Sequence, residues 1–189
     1  MIREHRIALL AALLAAAAGA ALEYRLGHPQ APEPVAAQPP ATLPMLELRS
    51  LDGQSVRLPD AHAGRPLLLN FWASWCAPCI AEMVELQRFS AEQPSNGVQV
   101  IGIALDDPTA VADFLKLHPV GYYILLDRPG PNDSSVRLGD RAGVLPYSVL
   151  VAADGRVLRT QLGPFAKGEI DRWARIESPY ARANTQTSD

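Results

Sequence analysis

The stretch Phe71-Trp72-Ala73-Ser74-Trp75-Cys76-Ala77-Pro78-Cys79 decides how the rest of the chain is read. The apolar run Pro66 to Asn70 leads into it and reads as a buried strand; Ile80 to Phe89 follows and reads as an amphipathic helix. The only two cysteines of the chain thus stand two residues apart, where a strand hands over to a helix. With Cys76 at the helix start and Cys79 one turn on, their Cα atoms are expected roughly 5–6 Å apart, a range in which a disulfide both closes and opens. The helix N-terminus carries about half a positive charge and favours a thiolate, so Cys76 is the expected nucleophile. Cys79, deeper in the turn, is expected to resolve the mixed disulfide by attacking Cys76. Trp72, Ala77 and Pro78 are read as belonging to the active-site loop, and a proline in the first helical turn costs little and stiffens it. Trp72 and Trp75 are expected to give apolar cover beside the sulfurs while leaving one face open. The competing reading, a merely stabilising disulfide, is weakened by so short a loop, which gains little entropy.

Outward from this turn the pattern alternates. Met45 to Leu58 reads as a hairpin with its turn at Asp52-Gly53, and Leu67 to Trp72 as a central strand. Ala77 to about Gln93 is predicted helical, with Ile80, Met83, Val84 and Leu86 on the core face. Val98 to Ala104 is predicted as a strand, then a helix from Asp106-Asp107-Pro108 carrying Val111, Phe114 and Leu115, then a strand over Tyr122 to Leu126. Ser134-Ser135 is read as the cap of a short helix ending at Gly139. Ser148 to Val151 and Arg156 to Leu162 form a second hairpin about Asp154-Gly155, and Lys167 to Ile176 is the last helix. The order predicts an α/β domain whose mixed central sheet is flanked by helices on both faces, with an N-terminal β-hairpin extension. The cysteines sit at the turn of a right-handed βαβ unit.

The ends of the chain supply an address. Arg3, His5 and Arg6 form a basic head before the uncharged run Ile7 to Leu22, the order of a secretory signal, with Ala18-Gly19-Ala20 resembling a cleavage site. Those sixteen residues would span about 24 Å as a helix against a hydrocarbon core of roughly 30 Å. An uncleaved anchor and a cleaved signal both stay open, and either exports the remainder. The proline-rich stretch Gly27 to Pro44 is an extended spacer of the kind that stands a domain off a membrane, which favours the anchor. The division is therefore 1–25 signal peptide or membrane anchor, 26–42 Pro/Ala-rich linker, 43–177 folded domain and 178–189 polar tail.

Composition narrows the chemistry. A length of 189 residues suits one sizeable core, and a net charge of −3 leaves no basic footprint, so nucleic acid is not an expected partner. Two cysteines cannot build a four-thiolate zinc site, and His5, His28, His62 and His118 are scattered, so no metal is expected. Nor is any cofactor expected beyond the redox-active Cys76–Cys79 disulfide itself. The cysteines do not fix the compartment, because a CxxC works in either.

WCAPC after an apolar strand ending in NFWA resembles the thioredoxin superfamily, and within it the exported TlpA/ResA/DsbE-like thiol-disulfide reductases. Gly143 to Ser148, followed by Val149-Leu150-Val151, looks like that family's cis-proline segment; Asp154-Gly155-Arg156 matches its late hairpin, and Gly163 to Gly168 the turn into its final helix. The resemblance spans about Leu43 to Ile176. It implies a thioredoxin-like fold, a cis Leu145–Pro146 bond facing the disulfide, and substrate contacts at Trp75, Leu145 and Pro146. Two departures stand out. The buried acid of thioredoxin is replaced by Asn70, which cannot take a proton, and the proline the subgroup carries two residues after its glutamate is Val84. Glu82 holds the subgroup's glutamate position; one turn from Cys79 on the same face and part-buried, it would have a raised pKa and manage the Cys79 proton.

The activity implied is reduction of disulfides in exported proteins, for example in cytochrome c maturation, by an anchored extracytoplasmic or periplasmic enzyme. It would act as a monomer on protein substrates, recharged by a membrane electron donor of DsbD/CcdA type. A metal-delivery or assembly module on the same fold is the alternative from another class; a copper carrier would show CxxxC and a histidine in the late loop, whereas Asp140 to Val151 contains none. A peroxidase-like protein is the third reading, weakened because no Thr or Ser precedes Cys76 at the spacing expected of a peroxiredoxin.

Overall fold

A computed structural model describes residues 38–176 and Gly19. The signal or anchor apart from Gly19, residues 26–37 of the linker, and the tail lie outside the described residues. Among those described, no helix is long and apolar enough to cross a membrane.

The sheet grows from its most apolar strand. Leu-Leu-Leu-Asn-Phe-Trp forms β3 (Leu67–Trp72), every residue of it buried. Such a run needs cover on both faces and partners on both edges. β4 (Gln99–Leu105) pairs with it in parallel and β6 (Tyr147–Val151) antiparallel. Beyond β4 lies parallel β5 (Tyr123–Asp127), and beyond β6 antiparallel β7 (Val157–Leu162). The hairpin of β1 (Leu46–Ser50) and β2 (Ser55–Leu58) joins the sheet through antiparallel β1–β5 pairing. The result is one seven-stranded sheet in the order β2-β1-β5-β4-β3-β6-β7. The expected hairpin extension is thus an edge of the main sheet. Gly53 and Gly155, both at positive φ, allow the two hairpin turns where Asp-Gly predicted them.

Alternation along β3 sorts the core into two clusters. Leu68 and Trp72 point into one, with Val100, Ala104, Ile124 and Leu150 of the neighbouring strands. Met83, Leu86 and Phe89 of helix α1 (Ala77–Glu92), Val111 of α2 (Pro108–Leu117) and Ile170 of α4 (Glu169–Trp173) close it. Leu67, Leu69 and Phe71 point into the other, which is completed by Leu43, the hairpin leucines Leu46, Leu48 and Leu58, and Leu138 after α3 (Ser134–Arg137). The helical cover is therefore uneven, with three helices contributing to one cluster and the short α3 ending against the other.

Three local expectations are corrected. Val84 is 72% exposed, because the buried stripe of α1 runs Cys79, Glu82, Met83, Leu86, Phe89 and leaves Val84 on the solvent side. Asp133, not Ser134 or Ser135, caps α3 by accepting the Ser135 and Val136 amides. The last helix starts at Glu169, since Gly168 sits in the left-handed region and the preceding turn is held in other bonds. A second cis bond, Leu58–Pro59 at the end of β2, has no counterpart in the sequence reading.

One row across the sheet carries the site. Asn70 pairs in register with Gly102 of β4 on one side and Ser148 of β6 on the other. Gly102 is there because the space is taken: a Cβ would lie 2.7 Å from Ile124 Cδ1, 3.1 Å from the Tyr122 ring and 3.2 Å from Trp72 Nε1. Gly102→Ala is expected to cost about 1–3 kcal/mol by overpacking, read as a lowered denaturation midpoint with an unchanged slope.

Candidate active site

The turn after β3 is built to place two sulfurs at a helix start. Ser74 donates both its amide (2.9 Å) and its hydroxyl (2.6 Å) to Asp106 Oδ2, pinning the turn to the end of β4. Burial pushes the Asp106 carboxyl up, but these bonds outweigh it and leave the group below its usual value. Cys76 is the N-cap of α1, and its sulfur accepts the Cys79 amide at 3.3 Å. The two cysteines form a disulfide with Cα atoms 5.3 Å apart. Cys76 is 5% exposed and Cys79 1%, so the outer sulfur is the first of the helix. Ala77 and Pro78 are exposed in the first turn.

The two tryptophans part company. Trp72 ends β3, fully buried, with its ring 5.4 Å from that of Phe114. Strand alternation turns it under α1, so it supports the site from within the core. Trp75 stands 71% exposed beside the cysteines.

The Leu145–Pro146 bond is cis, as the resemblance implied. The segment is anchored on both sides: Asp140 accepts the Val144 amide, Tyr147 donates its hydroxyl to the Leu138 carbonyl, and the Gly163 amide donates to the Pro146 carbonyl. Burial raises the Asp140 carboxyl, against the backbone bonds it accepts. Pro146 is buried and Leu145 half-buried. Leu145 and Trp75 share the rim of a groove of about 320 Å³, walled by Pro129, Pro131, Arg141 and Gly143. A larger cavity of about 450 Å³, lined by Leu51, Leu115, Val120 and Tyr123 among others, includes none of the cysteine-site residues.

Beneath the disulfide lies a buried carboxyl. Glu82, 2% exposed, sits one turn after Cys79 on the buried stripe of α1. Its Oε1 accepts the Phe165 amide and its Oε2 the Asn70 side-chain amide, each at 2.8 Å. Desolvation dominates over these two bonds and raises its pKa from 4.5 to about 7. The Phe165 donor is held over Glu82 by its turn: Gly168 donates to Glu85, Ala166 to Glu169, and Arg88 bridges Glu85 and Asp171. That backbone donor and the Ser74–Asp106 latch escaped the sequence reading. An Asp one residue after a buried strand was a signal for the latch; a main-chain amide leaves no trace in residue types.

A mixed sheet with a CxxC disulfide at the turn from β3 into a helix, and a cis-proline segment entering β6, is the arrangement of a thioredoxin-like thiol-disulfide oxidoreductase. The family model described as Redoxin matches residues 36–174, and the chain belongs to that family. Sporulation thiol-disulfide oxidoreductase A of Bacillus subtilis (strain 168) is 27% identical over 138 residues, covering 71% of this chain and 80% of that one. Thiol-disulfide oxidoreductase ResA of Bacillus cereus (strain ZK / E33L) is 26% identical over 137 residues, covering 72% and 76%. Among solved structures, a thioredoxin-related protein from Neisseria meningitidis serogroup B matches with a TM-score of 0.56 at 30% identity, over 68% of this chain and 92% of that chain.

Proposed function

We propose that this chain is an extracytoplasmic disulfide reductase, held at the membrane by residues 7–22 and acting as a monomer on cysteine pairs of exported proteins, apocytochrome c among them. The observation that carries the reading is the buried Glu82 carboxyl one turn behind Cys79, in a site where the strand position of an acid holds Asn70 instead. The basic head, apolar run and proline spacer support the location.

The chemistry runs from the dithiol. The Cys76 thiolate, favoured by the helix N-terminus and by the Cys79 amide on its sulfur, attacks a substrate disulfide; the substrate S–S bond breaks, a Cys76–substrate disulfide forms, and one substrate thiolate leaves. Cys79 then attacks the Cys76 sulfur, its proton passing to Glu82. The second substrate thiolate leaves, and two electrons have moved to the substrate. A carboxyl with a pKa of about 7 is suited to this, since near neutral pH it is available in both forms. Trp75, Leu145 and Pro146 line the approach, with the Leu145 backbone pairing with a substrate strand. A membrane donor of DsbD/CcdA type restores the dithiol.

Turnover of insulin disulfides by the full chain with a chemical reductant is the test. Catalytic reduction supports the reading; no turnover together with stoichiometric copper binding would replace it with metal delivery.

A further inference from the structure

Asn70 has more than an absence to offer. Strand alternation places it on the face of β3 shared with Leu68 and Trp72, against α1, and it is 1% exposed. Its Nδ2 donates to Glu82 Oε2 at 2.8 Å and to Ser148 Oγ at 3.0 Å, so both amide protons are engaged. Ser148 is its register partner on β6, two residues after the cis Pro146, and is also 1% exposed. Gly102, its register partner on the other side, brings no side chain to compete. The amide therefore bridges the glutamate of α1 and the strand that follows the substrate segment.

We propose that Asn70 is a positioning residue for the exchange reaction: oriented by Ser148, its amide fixes the Glu82 carboxyl and favours that group's ionised, proton-accepting form. The inference rests on the reading of Glu82 as keeper of the Cys79 proton. The geometry is one-sided. The Phe165 amide and, as placed, Asn70 Nδ2 each donate to one carboxylate oxygen, so both bonds stabilise the anion. Among the described residues, the phenol of Tyr122, buried without a hydrogen-bond partner, is a further titratable side chain that senses the charge of the group beside the cysteines. Burial first, and the charge of Glu82 second, push that phenol above its usual range, so it stays neutral while Glu82 titrates. Asn70 thus acts as a donor in the place where an acid would compete for the same proton.

The test uses the full chain and two readouts. In the oxidised protein the cysteines do not titrate, and the carboxyl carbon signal of Glu82, assigned by its loss in Glu82→Gln, gives the midpoint directly. Asn70→Leu fills the space without a donor and is expected to move that midpoint up by about one pH unit or more, the size of a lost hydrogen bond to a charged group. Ser148→Ala, milder for folding, is expected to move it the same way by less. In the reduced protein, the pH profile of mixed-disulfide resolution should shift with the midpoint. A folded Asn70→Leu or Ser148→Ala protein with the parent midpoint overturns the role of Asn70 and leaves Glu82 untouched. A resolution profile that ignores both Asn70→Leu and Glu82→Gln overturns the reading of Glu82 and the inference resting on it.

Discussion

Cys76→Ser is expected to abolish exchange with protein disulfides, and Cys79→Ser to leave a single attack that stops at the mixed disulfide. The asymmetry follows from where the helix begins. Cys76 is the N-cap, its sulfur accepts the Cys79 amide, and it is the more accessible of the two. A thiolate there gains the helix N-terminus and a backbone donor; an alkoxide from serine, with a much higher pKa, gains too little to form at neutral pH. Cys79, 1% exposed, reaches the substrate only through Cys76. Turnover of Cys76→Ser should therefore fall to background in the insulin assay. Cys79→Ser should accumulate covalent adducts in cells, resolved by non-reducing electrophoresis and released by a reductant, and the captured partners would name the substrates. Adducts formed by Cys76→Ser instead would reverse the assignment of nucleophile and resolver.

How far the residues alone carried this depends on the kind of interaction. The strand run Leu67 to Trp72, the helix start at Cys76 and the Asp-Gly hairpins were legible because each rests on local chemistry: apolar patterning, capping geometry and turn preference. Residue type alone points Val84 to the core, but helical phase sets it in solvent: the buried stripe follows the positions of Cys79, Glu82, Met83 and Leu86, and a charged residue holds one of them. Trp72 and Trp75 looked alike in sequence and differ wholly in burial, since one ends a strand and the other begins the turn. Asn70 was read for what it lacks. Its two donors are visible only when β6 comes alongside β3, bringing residue 148 from 78 positions away, and the Phe165 amide arrives from 83 away. Local chemistry places the cysteines; the surroundings of the buried carboxyl beneath them are assembled by topology.

That assembly should show itself in stability as well as in rate. Glu82→Gln is expected to make the oxidised full chain less sensitive to pH between about 4.5 and 7 and more stable above that range. The native carboxyl binds its proton up to about pH 7, whereas in the unfolded chain it releases it near 4.5. Within that window the native state holds more protons than the unfolded one, so the slope of unfolding free energy with pH is negative. This contribution is fully present below the unfolded pKa, is lost as pH rises through the folded one, and amounts to about 3 kcal/mol across the window. Glutamine carries no charge to desolvate. Its carbonyl can accept one of the two amides, and a turned Asn70 amide can accept from its NH₂, so the exchange gives back about 1 kcal/mol at most. Near pH 8 the variant should gain about 2 kcal/mol, a rise in Tm of about 4–8 °C for a domain of this size, while near pH 4, where only the hydrogen-bond loss remains, it should be less stable than the parent by about 1 kcal/mol at most. Thermal denaturation of both across this range decides the matter, and parallel curves would mean that Glu82 ionises as an ordinary carboxyl. The same variant should resolve mixed disulfides more slowly. If Glu82 accepts the Cys79 proton as proposed, the buried carboxyl trades stability at working pH for that role, and Glu82→Gln should recover the first by losing the second.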